Sequence, residues 1–346
     1  MTSQDNSGTE TQARCDRAAY FRMIAFVLSI LLGGTTHVVA QEYSHDVSTW
    51  QEILVPALED SGEREVWDLA SDYSMLAWRV YSDNGKPAAT LVPQPSKNTV
   101  KEPPFDAHAG RFSSPTEYWK VDDGYLTAFN HGEFGAALYW FSSNGKQHYR
   151  MSYDHVQAFF VIGKDIYAIE GMNHMSLSCG SVIKIAKQGV PHRWKVERVA
   201  KLPWAPYAVV TKQDGTMLLA LSNSLVEMGA DHDVHVLIDE APWESLYPSS
   251  AFLTSDERFL YLGMRQFVGE VDLQTRQLRM LVPNAGFLNK LPEDVEQRLR
   301  RDYAPKPGQS YDRSAKSQHL PGTLCDMTAA DARKSHGRAY YFSGAK

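Results

Sequence analysis

Short strand-like runs recur along this chain in sets of four, and that recurrence limits it to a few folds. Residues 156–162, 166–169, 182–186 and 194–199 make one set. Residues 207–211, 216–221, 225–228 and 234–238 make a second, and 250–253, 259–262, 268–272 and 277–282 a third. Each run is apolar, rich in β-branched and aromatic residues, and bounded by Gly, Asn, Asp or Ser. Before them stand three runs, 125–129, 136–141 and 147–151, joined by a polar loop at 131–135 and by Asn144-Gly145. Asn-Gly accepts the positive φ that a tight hairpin needs. Aligning the apolar pair that follows a turn in each unit, at Tyr125, Ile166, Met217 and Leu260, gives spacings of 41, 51 and 43 residues.

Four strands per unit and a period near forty describe a β-propeller. The expected fold is therefore all-β, a propeller of six blades, with five or seven as alternatives. A sandwich is the rival architecture. The arrangement resembles the broad propeller superfamily that includes quinoprotein-like and WD40-like rings. The likeness is one of architecture: the chain has no Trp-Asp repeat signature and no tryptophan-docking motif. Fold alone implies no activity.

The runs at 66–70, 75–81 and 88–92 read as further strands, the last two joined by Asn84-Gly85. One helix is expected after Pro292, with acids at its start and arginines at its end, as the helix dipole favours. The expected domains are a leader over 1–40, a propeller over 41–304 and a tail over 305–346, from which 338–343 returns as a ring-closing strand.

The leader has the form of a signal peptide. Arg14, Arg17 and Arg22 precede an apolar run at 23–32, and Val38-Val39-Ala40 suits cleavage before Gln41. Translation from Met1 or from Met23 fits equally. Ten apolar residues are too few to span a bilayer, so no stable membrane span is expected after cleavage; an anchor left uncleaved is the alternative. The expected location is periplasmic or secreted. An oxidising compartment permits a disulfide between the two cysteines outside the leader, Cys179 and Cys325; two separate thiols are the alternative.

Residues 41–284 carry 31 acidic against 21 basic side chains, which argues against nucleic acid as a partner. The chain has no nucleophile elbow, phosphate loop or dinucleotide fingerprint. No cofactor is identified. A quinone cofactor lacks any recognisable ligand motif.

In propellers, the loops between second and third strands share one face with the connections between blades. That placement comes from the resemblance. It sorts the chain into plain solvent turns at one end and richer loops at the other. The rich end receives His131, Glu133, Glu170, Asn173, His174 and Arg265, with Trp204, Tyr207, Trp243 and Tyr247 from the connections. Carboxylate and imidazole could do acid–base work or hold a metal through two nitrogens and two oxygens. Arg265 could clamp an anionic group. The aromatic residues could stack on a sugar or flat ligand. Each has a structural alternative: solvated loop groups, inter-blade ion pairs or packing. Residues 231–235, Asp-His-Asp-Val-His, look metal-like but fall at the turn end; Asp106 and His108 lie in an irregular segment. Two functions follow. One is an exported propeller binding a peptide, glycan or partner protein at the loop face. The other is a hydrolase or lyase acting on a small molecule or sugar with the His and Glu residues.

Overall fold

The computed structural model describes residues 43–92, 102–174, 177–189 and 193–304. The leader, the 305–346 tail with Cys325, and the expected closing strand at 338–343 lie outside the described residues. The chain divides into Met1–Tyr43 and Ser44–Lys346, and every strand and helix among the described residues belongs to the second unit.

In chain order the elements are β1 (Gln51–Ile53), α1 (Ser61–Asp72), β2 (Ala77–Asp83), β3 (Lys86–Val92), β4 (Glu117–Val121), β5 (Gly124–Asn130), β6 (Ala136–Ser142) and β7 (His148–Ser152). Next come β8 (Val156–Ile162), β9 (Asp165–His174), β10 (Leu177–Gln188), β11 (Arg193–Leu202), β12 (Pro206–Thr211), β13 (Met217–Leu221), β14 (Leu225–Met228) and β15 (Val234–Ile238). The last are β16 (Ser250–Leu253), β17 (Phe259–Gly263), β18 (Val268–Asp272), β19 (Gln277–Val282) and α2 (Glu293–Asp302).

These strands make a β-propeller. Four antiparallel meanders form, β4–β7, β8–β11, β12–β15 and β16–β19, and β1 adds to the outside of β19. The first strands of successive sheets touch: β4 with β8, β8 with β12, β12 with β16, and β16 with β2 of the hairpin β2–β3. Each sheet therefore presents its first strand to a common interior and its faces to its neighbours.

The core follows from that stacking. Ile169, Val182, Leu219 and Val226 pack between the β8–β11 and β12–β15 sheets. Leu218, Leu225, Leu260 and Met280 pack between the next two. Leu126, Leu138, Ile183 and Ile185 fill the gap between the β4–β7 and β8–β11 sheets. Neighbours such as Leu218 and Leu219 serve opposite gaps, because successive side chains in a strand point to opposite faces. On the far face of β4–β7 no sheet is found among the described residues. Coil carrying Phe105 and Phe112 covers Phe129, Tyr139 and Phe141 instead.

Five sheets form among the described residues, and the expected six-blade ring drew on residues outside them. The twelve strands of the three complete sets lie where their apolar runs predict. Asn84 and Gly85 have φ of 50° and 81°, the doubly positive turn expected between β2 and β3. Two expectations fail. The run at 66–70 is not a strand but the middle of α1. Its Trp67 stacks on Phe267, with ring centroids 5.4 Å apart, and Arg64 pairs with Asp68 one helical turn on. The set at 125–151 has a first strand that the apolar pattern misses, β4, whose Glu117 and Lys120 dilute its hydrophobicity. Among the described residues there are thus two helices, and α2 packs against α1, where Gly62 leaves room for the backbone of Arg300. No helix among the described residues is long and apolar enough to cross a membrane.

Candidate functional site

The loops after the second strands and the connections between sheets are bonded to one another, so they share one end of the propeller. Gly171 N–H donates to the His155 carbonyl at 3.0 Å, Ser222 N–H to Ala205 at 2.8 Å, Ala241 N–H to Asn223 at 2.9 Å and Arg265 N–H to Leu246 at 2.7 Å. The Ser178 hydroxyl bonds that of Ser222 at 2.8 Å and accepts from Ala205 N–H at 3.0 Å.

Three separate groups emerge at this end. The first is a ridge that crosses several sheets. Asn173, at the tip of β9, donates its amide to the Tyr207 hydroxyl at 3.0 Å. Tyr207, at the start of β12, meets the Tyr247 ring edge-on at 5.5 Å. The Arg265 guanidinium lies 5.0 Å from the Tyr247 ring centre and donates from Nη1 to the carboxylate and carbonyl of Asp72, at 2.6 and 2.5 Å. Asp72 ends α1, so the helix that replaced an expected strand supplies the counter-ion. Burial pushes the Tyr207 phenol well above its ordinary range, keeping it neutral. Tyr247 is 45% exposed and holds a left-handed backbone, φ 51°; Gln266, next to Arg265, has φ 66°. Non-glycine residues pay about 1 to 3 kcal/mol for such conformations and keep them where surrounding contacts dictate.

The second group lies where the β4–β7 and β8–β11 sheets meet. Glu170 accepts from the Ser181 hydroxyl opposite it in the ladder, and Arg198 stands 3.8 Å away. Burial first, and then the neighbouring charge of Asp154, push the Glu170 carboxyl up to about 7, against the Ser181 hydrogen bond and the Arg198 charge. His155 Nδ1 lies 3.2 Å from the Asn130 side-chain oxygen; burial holds its imidazole below the usual range.

The third group is a single pair. His174 Nε2 stands 3.0 Å from a Glu133 oxygen, both side chains about half exposed.

The remaining candidates stay outside these groups. His131 is held by the Ser114 carbonyl at 3.1 Å and the edge of Phe112. Trp243 is wholly buried and donates its Nε1–H to the Leu221 carbonyl at 2.8 Å, which leaves it no face for a ligand. Trp204 packs on the apolar layer under β12. The four-residue set His131, Glu133, Glu170 and His174 is thus not one site. Among the described residues no three His, Cys, Asp or Glu side chains stand where they could share a metal ion. Asp106 pairs with His108 at 2.7 Å, and His232 of the 231–235 segment faces Tyr167 edge-on.

The turn end is not the bare solvent surface expected. Asp123 accepts from Trp140 and Trp194 Nε1–H at 3.1 and 3.0 Å, and Lys187 reaches both Asp122 and Asp123 at 2.9 Å. Asp72, Asp154, His155, Ser181 and Arg198 were missed as site residues. Asp154 and His155 lie in a connection between sheets, so the rule that selected Trp204 and Tyr207 would have found them.

No family model matches the sequence, and no curated protein is significantly similar to it. Solved structures resemble parts of it. A streptogramin B lyase is 16% identical over 48% of this chain and 53% of its own, with a TM-score of 0.33. A virginiamycin B lyase from Staphylococcus aureus is 10% identical, over 61% and 71%, with a TM-score of 0.34. A gluconolactonase from Xanthomonas campestris is 15% identical, over 58% and 64%, with a TM-score of 0.34. The chain spans about half the length of the first of these. Likeness at this level carries no argument about activity; the stacked meanders themselves make the chain a β-propeller.

Proposed function

We propose that this chain is a binding propeller of the periplasm or cell exterior, taking a glycan, peptide or partner protein across the ridge from Asn173 to Arg265. One observation carries the reading. The side chains that could have assembled an acid–base or metal centre are parted into separate pairs, whereas the ridge is one continuous line of amide, phenol, ring and guanidinium. Arg265 is already neutralised by Asp72, which disfavours a strongly anionic ligand. The exposed Tyr247 ring and the Asn173 side chain suit a neutral partner with flat apolar faces and hydroxyl or amide groups, as in sugars and peptide backbones.

The test is an array of glycans and peptides probed with the chain beginning at Gln41, followed by titration of any hit. Tyr247→Ala should weaken binding about tenfold or more, the loss of roughly 1.4 kcal/mol that one stacking aromatic contributes. An unchanged affinity would place the ligand elsewhere. A second reading rests on the Glu133–His174 pair. A solvent-facing carboxylate beside an imidazole is an acid–base couple, and it supports a hydrolase or lyase. Turnover of a lactone or sugar that Glu133→Gln abolishes would establish that reading over the first.

A further inference from the structure

Cys179 is disulfide-bonded, and the chain's other two cysteines, Cys15 and Cys325, both lie outside the described residues. Cys179 sits on β10 opposite Met172, two residues from Ser181. It therefore shares a sheet face with Ser181 and its bonded partner Glu170, on the side of the sheet that packs against β4–β7. The loop end of this interface carries several ionisable groups. Asp154 and Arg198 are the charges beside the buried Glu170, and the half-exposed Glu133–His174 pair joins the two sheets. Phe134, beside Glu133, is 76% exposed.

Segment 305–346 is net basic. It carries seven Lys and Arg against three Asp, with Leu320 and Leu324 just before Cys325 and the aromatic run Tyr340-Tyr341-Phe342 beyond it. From Ala304 to Cys325 is 21 residues, a reach of about 70 Å when extended. A compact domain of this size is only about 50 Å across, so the reach covers most of its surface.

We propose that Cys325 is the partner of Cys179 and that segment 305–346 docks at this loop end, its basic side chains against Asp154 and Glu133. The loop end then has an occupant of its own beside the ridge. This inference does not depend on what the ridge binds, and its test uses no ligand.

The chain from Gln41 to Lys346 is digested without reduction and the cross-linked peptides are weighed. A Cys179–Cys325 peptide pair is expected. Because cleavage before Gln41 would remove Cys15, the full chain is mapped as well; a Cys15–Cys179 pair there would overturn the assignment. Hydrogen exchange is then followed at 131–135 and 170–174. A dithiol reductant opens the bridge, giving two protein thiols and its own cyclic disulfide. Exchange in both loops should then rise about tenfold. Arg313→Glu with Lys316→Glu should produce a like rise with the bridge intact, and it avoids any folding defect of a cysteine variant. Loops whose exchange is unchanged in both experiments would show that the segment is tethered but not docked, and the proposal would fall.

Discussion

Glu170 is where the chain puts a carboxyl group against the ordinary preference for water. It is buried, it faces Asp154, and its carboxyl is pushed up to about 7 from 4.5. The folded state therefore holds a proton there that the unfolded chain gives up near its ordinary value. Stability should fall as pH rises from about 4.5 to 7, and level off above, with a span of up to about 3 kcal/mol. Denaturant melts at pH 5 and pH 7.5 would measure it. Glu170→Gln keeps an amide that can bond Ser181 and removes the titration, so the two melts should converge. A persisting gap would assign the pH dependence to other groups. Tyr207 obeys the same physics with the opposite consequence for function: burial holds it neutral, so binding across the ridge should not titrate with this phenol below pH 10. Tyr207→Phe keeps the ring against Tyr247 and loses the acceptor for Asn173. Its melting point should change little, since one neutral hydrogen bond contributes only about 1 kcal/mol, while ligand affinity drops.

At the scale of elements, the connection from β11 to β12 decides how closely two sheets approach. Gly171 and Gly180 are ladder partners, and Pro206 crosses directly over them. A Cβ on Gly171 would stand 2.6 Å from Pro206 Cδ, and one on Gly180 would meet the same atom and, at 2.8 Å, the Glu170 carbonyl. Neither neighbour is a flexible side-chain end, so the strand or the connection must move. Gly180→Ala should cost about 1 to 3 kcal/mol in chemical denaturation and displace Glu170 and Tyr207 together. A neutral substitution would mean that the connection yields freely. Such contacts bear on what was legible in the residues. The meanders were, because alternation, Asn-Gly turns and a period near forty all repeat. The 66–70 run was misread because Val and Trp favour strands over a window of five, whereas the Arg64–Asp68 spacing that marks a helix needs a longer one. The loop end was legible as a place. Its grouping was not, because which loop side chains pair across sheets depends on how neighbouring sheets stack. Nothing local in residues 71–74 marks Asp72 as the partner of Arg265, 193 residues away.

At the scale of the molecule, the sheets are fastened to one another at both ends, by different chemistry. The loop end uses backbone bonds and buried hydroxyls such as Ser178 and Ser222. The turn end uses charge and indole, with Asp123 collecting Trp140, Trp194 and Lys187 between the β4–β7 and β8–β11 sheets. Because each sheet touches mainly its two neighbours, stability should behave as a series of interface terms. A fault at one end of one interface should remain there until global unfolding. Asp123→Ala leaves two indole N–H groups without their acceptor and Lys187 with Asp122 alone, at about 1 to 3 kcal/mol in all. Under native conditions, hydrogen exchange should quicken at the β4–β5 turn and at the β10 and β11 ends. It should stay unchanged at 131–135 and 170–174, which the same two sheets present at the opposite end. If the loop end loosened equally, the two fastenings would be one cooperative unit, and a ligand or tail held at the loop end would then also stiffen the turns about Asp123.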